Sequence, residues 1–314
     1  MNPPMIGALR SSEAGVGKTV EVLLSRLIDY AGLFPPAGLA VLPAVTNYDS
    51  YLRSRYSWML GRFIVPAGRL NEFHEALGRL PVADSKRWEL SALLGTDPPS
   101  EIARIVEFNA RRPGSGSGRS AVVESVEVKV ESPADVARMA VVIPRELTAY
   151  FEIPLAGREG GCITAIAEWG RRAKIRTGGE TADKFPDSVR VVEFARLCAR
   201  AGVPFKATAG LHHPIRSVRR FTYQPDSPSG VMHGFLNVFL AAAFVKSGME
   251  TRLAMELLEE QSAAALQFDS EGVEWREHRL GWREVAASRR DFSVSFGSCS
   301  FTEPIDDLRS LGLL

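Results

Sequence analysis

Short apolar runs with strand-like alternation recur along the chain, and amphipathic stretches at helical spacing separate them. The pattern predicts strands near 27–33, 62–66, 88–94, 122–130, 149–155, 173–177, 205–209 and 292–298. Helices are predicted between them at 39–57, 70–80, 99–111, 133–139, 162–169 and 186–201, with a last one at 305–311. Strand and helix alternate in the order of parallel βα units, and eight such strands predict an α/β fold, a closed (βα)8 barrel rather than an open sheet.

Local chemistry marks several boundaries. Ser132 caps a helix that opens on Pro133, whose missing amide proton costs nothing in the first turn. Gly202 is placed to end the helix before the seventh strand. The segment 113–119 (PGSGSGR) is a flexible loop inside one domain spanning 1–314, not a linker between two. The rhythm breaks most at 212–291, expected to be an insertion between strands seven and eight and a candidate lid. It comprises a Pro/Arg/Ser-rich loop at 212–230, a helical stretch at 231–260, and a hairpin at 267–275 turning through residues 269–272. A different count, with 231–235 as the eighth strand and the remainder as an appendage, stays open at this point.

A chain of 314 residues, 45% of them hydrophobic, has enough apolar material for one large core. Thirty-eight basic residues against thirty-seven acidic ones leave no broad field for nucleic acid or an anionic membrane. The most apolar late window, 231–245, contains His233 and Asn237 and falls short of the ~20 residues a membrane span needs. Residues 1–18 lack a basic segment followed by an apolar one, so no secretory signal is expected. Cys162, Cys198 and Cys299 are odd in number and lack metal-like pairing, which suits a reducing, cytoplasmic compartment. The expected partner is a small-molecule substrate, with self-association left open and no cofactor called for.

Strand parity then gathers charge in one place. Side chains alternate faces along a strand, and one face of every barrel strand looks inward. If the valines of strand four face the helices, Ser125, Glu127 and Lys129 point in. Strand five sends in Tyr150 and Glu152, strand six Lys174 and Arg176, and strand seven Lys206 and Thr208. Charges so enclosed must pair, bind something or meet solvent at the mouth, because each left alone costs several kcal/mol, roughly. Barrel chemistry gathers at the carboxyl ends of the strands. A lysine becomes nucleophilic when its amine is partly neutral, and a second cation nearby is one way to achieve this. Lys206 beside Lys174 is the expected example, with Glu127 or Glu152 moving protons.

The same positions resemble deoxyribose-phosphate aldolase and related class I aldolases. Leu27-Ile28-Asp29, with Leu33 and Pro35 after it, is similar to that family's opening strand. Lys174-Ile175-Arg176-Thr177-Gly178-Gly179 resembles its segment carrying the Schiff-base lysine. Lys206-Ala207-Thr208-Ala209-Gly210 resembles the segment carrying its second lysine, and Glu152 ends a similar hydrophobic fifth strand. The resemblance implies a (βα)8 barrel in which Lys174 forms an imine and Lys206 tunes it. Glu127 would stand where the family has its catalytic aspartate, and Asp29 joins the catalytic set. Arg176, Thr177, Gly178 and Gly179 then belong to the substrate side. Two departures imply a different pocket: Arg176 replaces a small serine, and residues 211–216 (Leu-His-His-Pro-Ile-Arg) replace a tight Gly-Ile-Arg turn. Gly297, Ser298 and Ser300 loosely match the family's phosphate-binding end. The order of residues 27–36 and His212-His213 is also similar to a bacterial family without an assigned activity.

Other motifs weigh less. The run Gly15-Val16-Gly17-Lys18-Thr19 looks like the end of a phosphate-binding loop, but Ser12 occupies the place of its first glycine and no strand precedes it, so a helix start is expected. His212 and His213 follow the seventh strand and are candidate substrate contacts. Adjacent strand residues face opposite ways, so with His233 and Glu152 they are not expected to share a metal. Arg216, with Arg219 and Arg220, is a candidate anion clamp. Cys198 is expected to be buried and inert; Cys299, after strand eight, is expected to be a small packed residue.

The leading expectation is an aldolase-like carbon–carbon lyase acting through a lysine Schiff base on a small oxygenated carbonyl compound. The alternatives are an isomerase that binds phosphate or carboxylate, and a non-catalytic sensor or assembly barrel.

Overall fold

The computed structural model describes residues 17–81, 87–111, 119–157 and 159–314. Eight parallel strands close a barrel: β1 (Ile28–Tyr30), β2 (Leu60–Pro66), β3 (Trp88–Leu93), β4 (Ala121–Lys129), β5 (Thr148–Glu152), β6 (Arg172–Arg176), β7 (Phe205–Thr208) and β8 (Ser293–Ser298). Each strand pairs with its neighbours in chain order, and β8 pairs with both β7 and β1, so no edge is left to pair with another chain. This is the (βα)8, or TIM-barrel, architecture, and all eight expected strands are its staves.

Outside stand helices whose apolar stripes face the strands. Ser132 accepts a hydrogen bond from the Asp135 amide at 3.2 Å, with Pro133 in the first turn, and Gly202 closes its helix with φ 65°. Between β3 and β4 the register slips: Leu90 faces Val123 but Ser91 faces Ser125. Glu124 is the extra residue, and it reaches Arg62 at 3.2 Å. Above the slip the parity of Ser125 and Glu127 runs undisturbed to the mouth.

The segment after β7 differs from expectation. Val231 and Met232 are neither a barrel strand nor helical: Ser229–Met232 pairs antiparallel with Ser217–Arg220 in a two-stranded ribbon outside the barrel. The helical stretch starts only at Phe235 and divides into Phe235–Lys246 and Thr251–Leu258, with Gly248 at φ 95° between them. Every residue of Phe235–Lys246 except Lys246 is buried, and Phe235 and Phe239 pack on Phe296 of β8 at 5.3 and 5.9 Å. This helix therefore belongs to the barrel's own outer layer. The expected hairpin is present as a three-stranded sheet of Leu266–Phe268, Gly272–Trp275 and His278–Gly281. A helix not expected from the sequence, Trp282–Asp291, leads into β8.

The phosphate-loop-like run begins outside the described residues. Within them, Gly17 is followed by a helix, Lys18–Leu24. Of the loop 113–119, only Arg119 is described; it is buried and paired with Asp49. Among the described residues no helix is long and apolar enough to cross a membrane.

Candidate active site

The inward side chains stack in layers. In the deepest of these, the phenol of Tyr150 accepts a hydrogen bond from Arg172 at 3.1 Å. Above it, Lys206 lies 5.4 Å from the centre of the Tyr150 ring. Its Nζ donates to Asp29 Oδ2 at 2.6 Å and to Glu127 Oε1 at 2.8 Å. Asp29 is held in turn by the Ser295 hydroxyl and the Arg62 amide, each at 2.8 Å. Glu127 accepts from the Ser91 hydroxyl at 2.8 Å, and Ser91 accepts from Ser125. The hydroxyls fix the rotamers of two buried carboxylates that the alternation of β1 and β4 delivers to the interior.

One step nearer the mouth, Lys174 Nζ lies 2.7 Å from Glu127 Oε2 and 2.8 Å from Glu152 Oε2. Arg176 closes the stack, its Nε 3.1 Å from Glu152 Oε1. Asp29, Glu127 and Glu152 thus each have an ammonium or guanidinium partner, as burial of this cost requires. Glu127 is the bridge, with one oxygen on each lysine. Glu152 Oε2 is buried and has the charge contact with Lys174 but no directed hydrogen bond.

Electrostatics distinguishes the layers. Burial opposes ionisation of Glu127, but the two lysines outweigh it and hold its carboxyl well below the usual range. Glu152 follows the same balance, burial against Lys174 and Arg176, and is also lowered. Burial opposes the charge on Lys206; Asp29 and Glu127 overcome it and raise its pKa above the ordinary lysine range. Lys206 does lie beside Lys174 in register, held by Asp29 and Glu127, with Glu127 placed between the two amines.

A cavity of about 720 Å³ opens at the carboxyl ends of the strands, and Lys174, Glu127, Glu152, Arg176 and Thr208 lie in its wall. Lys206 and Asp29 sit beneath its floor. Rim cations are Lys129, exposed at the end of β4, and Lys184, with Arg176 between solvent and Glu152. Gly179, Gly297, Cys299 and His212 complete the parts of the wall that bear on chemistry.

Other expected substrate residues lie elsewhere. The Thr177 hydroxyl donates to the carbonyls of Thr208 and Ala209 at 3.2 and 2.7 Å and ties β6 to β7. Gly178 packs against Gly210, where a Cβ would stand 2.7 Å from the Gly210 Cα. The Ser298 hydroxyl accepts from the Ser300 amide, and the Ser300 hydroxyl accepts from the Glu303 amide, so both serve their own turn. Arg216 faces His233 Nδ1 at 3.1 Å, away from the cavity. Cys198 and Cys299 are buried, and burial raises both thiols.

The histidines follow β7 in a loop, not a strand, and both turn to the terminal helix Thr302–Ser310. His212 Nδ1 lies 3.0 Å from Glu303 Oε2, and His213 Nδ1 lies 2.6 Å from Asp307 Oδ2. Glu303 and Asp307, one turn apart, share the helix face that receives them. Tyr223 donates to the same Glu303 oxygen at 3.1 Å. His233 instead meets the Pro186 carbonyl at 2.7 Å, so the three histidines do not converge. Among the described residues no three His, Cys, Asp or Glu side chains gather at metal-binding spacing. Glu303 and Tyr223 escaped sequence reasoning; the one available signal for Glu303 was its place just after a strand end.

In comparisons with known proteins, the chain matches no protein-family model and no curated protein sequence. The resemblance to class I aldolases rests on the strand-end motifs.

Proposed function

We propose that the protein is a class I aldolase-like carbon–carbon lyase whose imine lysine is Lys174. The observation that carries this reading is the asymmetry of the two lysines. Lys174 forms part of the cavity wall between two carboxylates, whereas Lys206 is sealed beneath it by two directed hydrogen bonds.

The chemistry follows from those contacts. Glu152 Oε2, 2.8 Å from Lys174 Nζ, takes a proton from the Lys174 ammonium. The neutral amine attacks a substrate carbonyl carbon, and its proton passes to the new alkoxide, giving a carbinolamine. Glu152 returns the first proton to the carbinolamine hydroxyl, which leaves as water, and the nitrogen lone pair closes the protonated imine. Cleavage of the bond between the α and β carbons then sends its electron pair into the iminium as an enamine, while Glu152, again a carboxylate, takes the β-hydroxyl proton. Lys206 keeps Glu127 ionised and in place throughout. Lys129, Arg176 and Lys184 around the opening favour a substrate with a carboxylate or phosphate group.

The rim cations also favour a second reading, an isomerase that binds an anionic substrate and uses Glu152 as base. Borohydride reduction in the presence of small aldehydes, ketones and sugar phosphates separates the two. The lyase reading predicts a covalent adduct by intact mass in the native protein and none in Lys174→Ala. Binding of sugar phosphates without any adduct would select the isomerase. Lys174→Ala is expected to fold, because Glu127 keeps Lys206 and Glu152 keeps Arg176.

A further inference from the structure

His212 is the cavity-wall group that the imine chemistry leaves unused. The residue lies in the walls of two spaces: the central cavity, and a side pocket of about 270 Å³ that also contains Tyr223, Arg219, Arg220 and Glu303. His213 borders only the side pocket, with Nδ1 on Asp307. Glu303 begins the terminal helix, its amide bonded to the Ser300 hydroxyl, and its position is fixed by burial of Pro304, Ile305 and Leu308.

Burial resists ionisation of Glu303, but His212 and His213 outweigh it and the carboxyl lies below its usual range. An ionised carboxylate only accepts hydrogen bonds, so His212 Nδ1 carries the proton in the 3.0 Å contact. The Tyr223 hydroxyl donates to the same oxygen at 3.1 Å. With Nδ1 donating to the carboxylate, the neutral form of the ring has its lone pair on Nε2, the arrangement by which a carboxylate orients a histidine base. Glu127 is held by both ammonium groups, Glu152 is engaged in forming the imine, and Glu180 is exposed at the rim.

We infer that His212 is the base and acid that moves the carbon-bound proton of the substrate, with Glu303 and Tyr223 as its positioning residues. The inference rests on the lyase reading and adds to it a division of labour: Lys174 with Glu152 makes the imine, and His212 moves the α-carbon proton that interconverts imine and enamine. In that step Nε2 accepts a proton from the carbon next to the imine, the C–H electron pair becomes the enamine double bond, and the iminium π pair moves to nitrogen. In the cleavage direction the ring, having taken a proton from solvent on Nε2, delivers it to the enamine carbon.

The test reads the two steps separately. Carbonyl compounds that give a borohydride adduct with the native protein are incubated with it in D2O, and loss of the α-proton signal is followed by NMR. His212→Asn should keep the adduct yield while α-exchange falls by ~10²-fold or more, the range for losing a general base. Glu303→Gln should also keep the adduct and lose at least about tenfold in exchange, with Glu303→Asp recovering part of it. An adduct with unchanged exchange in His212→Asn overturns this inference and leaves the lyase reading standing. No adduct with any carbonyl compound in the native protein overturns both.

Discussion

Glu127 is the residue on which the buried charges turn, since one oxygen holds Lys206 and the other holds Lys174. A carboxylate that serves two ammonium groups makes each substitution around it unequal. Lys206→Met keeps the volume but leaves Asp29 and part of Glu127 as uncompensated buried charge, so the variant should lose about 3–5 kcal/mol of stability. A denaturant midpoint measured against the native protein checks this, and a loss under about 1 kcal/mol, the value of a surface pair, would contradict it. Much of this stack was legible because period-two alternation assigns a face to every strand residue. Glu127, Glu152, Lys174 and Lys206 all fall where parity puts them. Loop residues have no such rule, which is why Tyr223 was silent and Arg216 was misplaced; Glu303 stands in the first turn of a helix, where strand parity assigns no face. Thr177 followed the motif but not the cavity, because its hydroxyl satisfies two carbonyls of the neighbouring strand end.

At the scale of elements, the ends of β6 and β7 meet at Gly178 and Gly210. Gly210 has φ 74°, and a Cβ on Gly178 would stand 2.5 Å from the Phe185 ring and 2.7 Å from the Gly210 Cα. Those two strands carry Lys174 and Lys206, so this contact sets the spacing of the loops above them. Gly178→Ala should cost roughly 1–3 kcal/mol, as overpacking does, and should weaken adduct formation at Lys174. Thermal unfolding together with borohydride trapping tests both; an alanine variant equal to the native protein in each would show that the loops yield freely. Strands were legible in the sequence as apolar runs, and most helices as stripes. Trp282–Asp291 was not, because it buries only Val285, Ser288 and Arg289 and so offers no apolar period. The helical stretch after β7 was placed too early because Val231 and Met232 are apolar, yet both lie in a ribbon.

For the whole molecule, the long segment between β7 and β8 supplies part of the barrel's outer layer instead of standing apart as a lid. Helix Phe235–Lys246 is buried around its circumference and packs on β8 through Phe296. The chain should therefore unfold as one unit. Tryptophans report from both regions, Trp88 on β3 and Trp275 and Trp282 in the segment. Far-ultraviolet circular dichroism and tryptophan fluorescence should give coincident transitions; two separated transitions would make the segment an independent domain. Closure of all eight strands also brings Asp29, near the start of the chain, to within 2.6 Å of Lys206, a pairing that local pattern does not reveal.

The central claim is that Lys174, in the cavity wall, and not Lys206 beneath it, is the nucleophile. Peptide mapping of the borohydride-reduced adduct tests it most directly. The account predicts the added mass on the peptide carrying Lys174, with Lys206 unmodified. Modification of Lys206, or adducts only on other lysines, would contradict it.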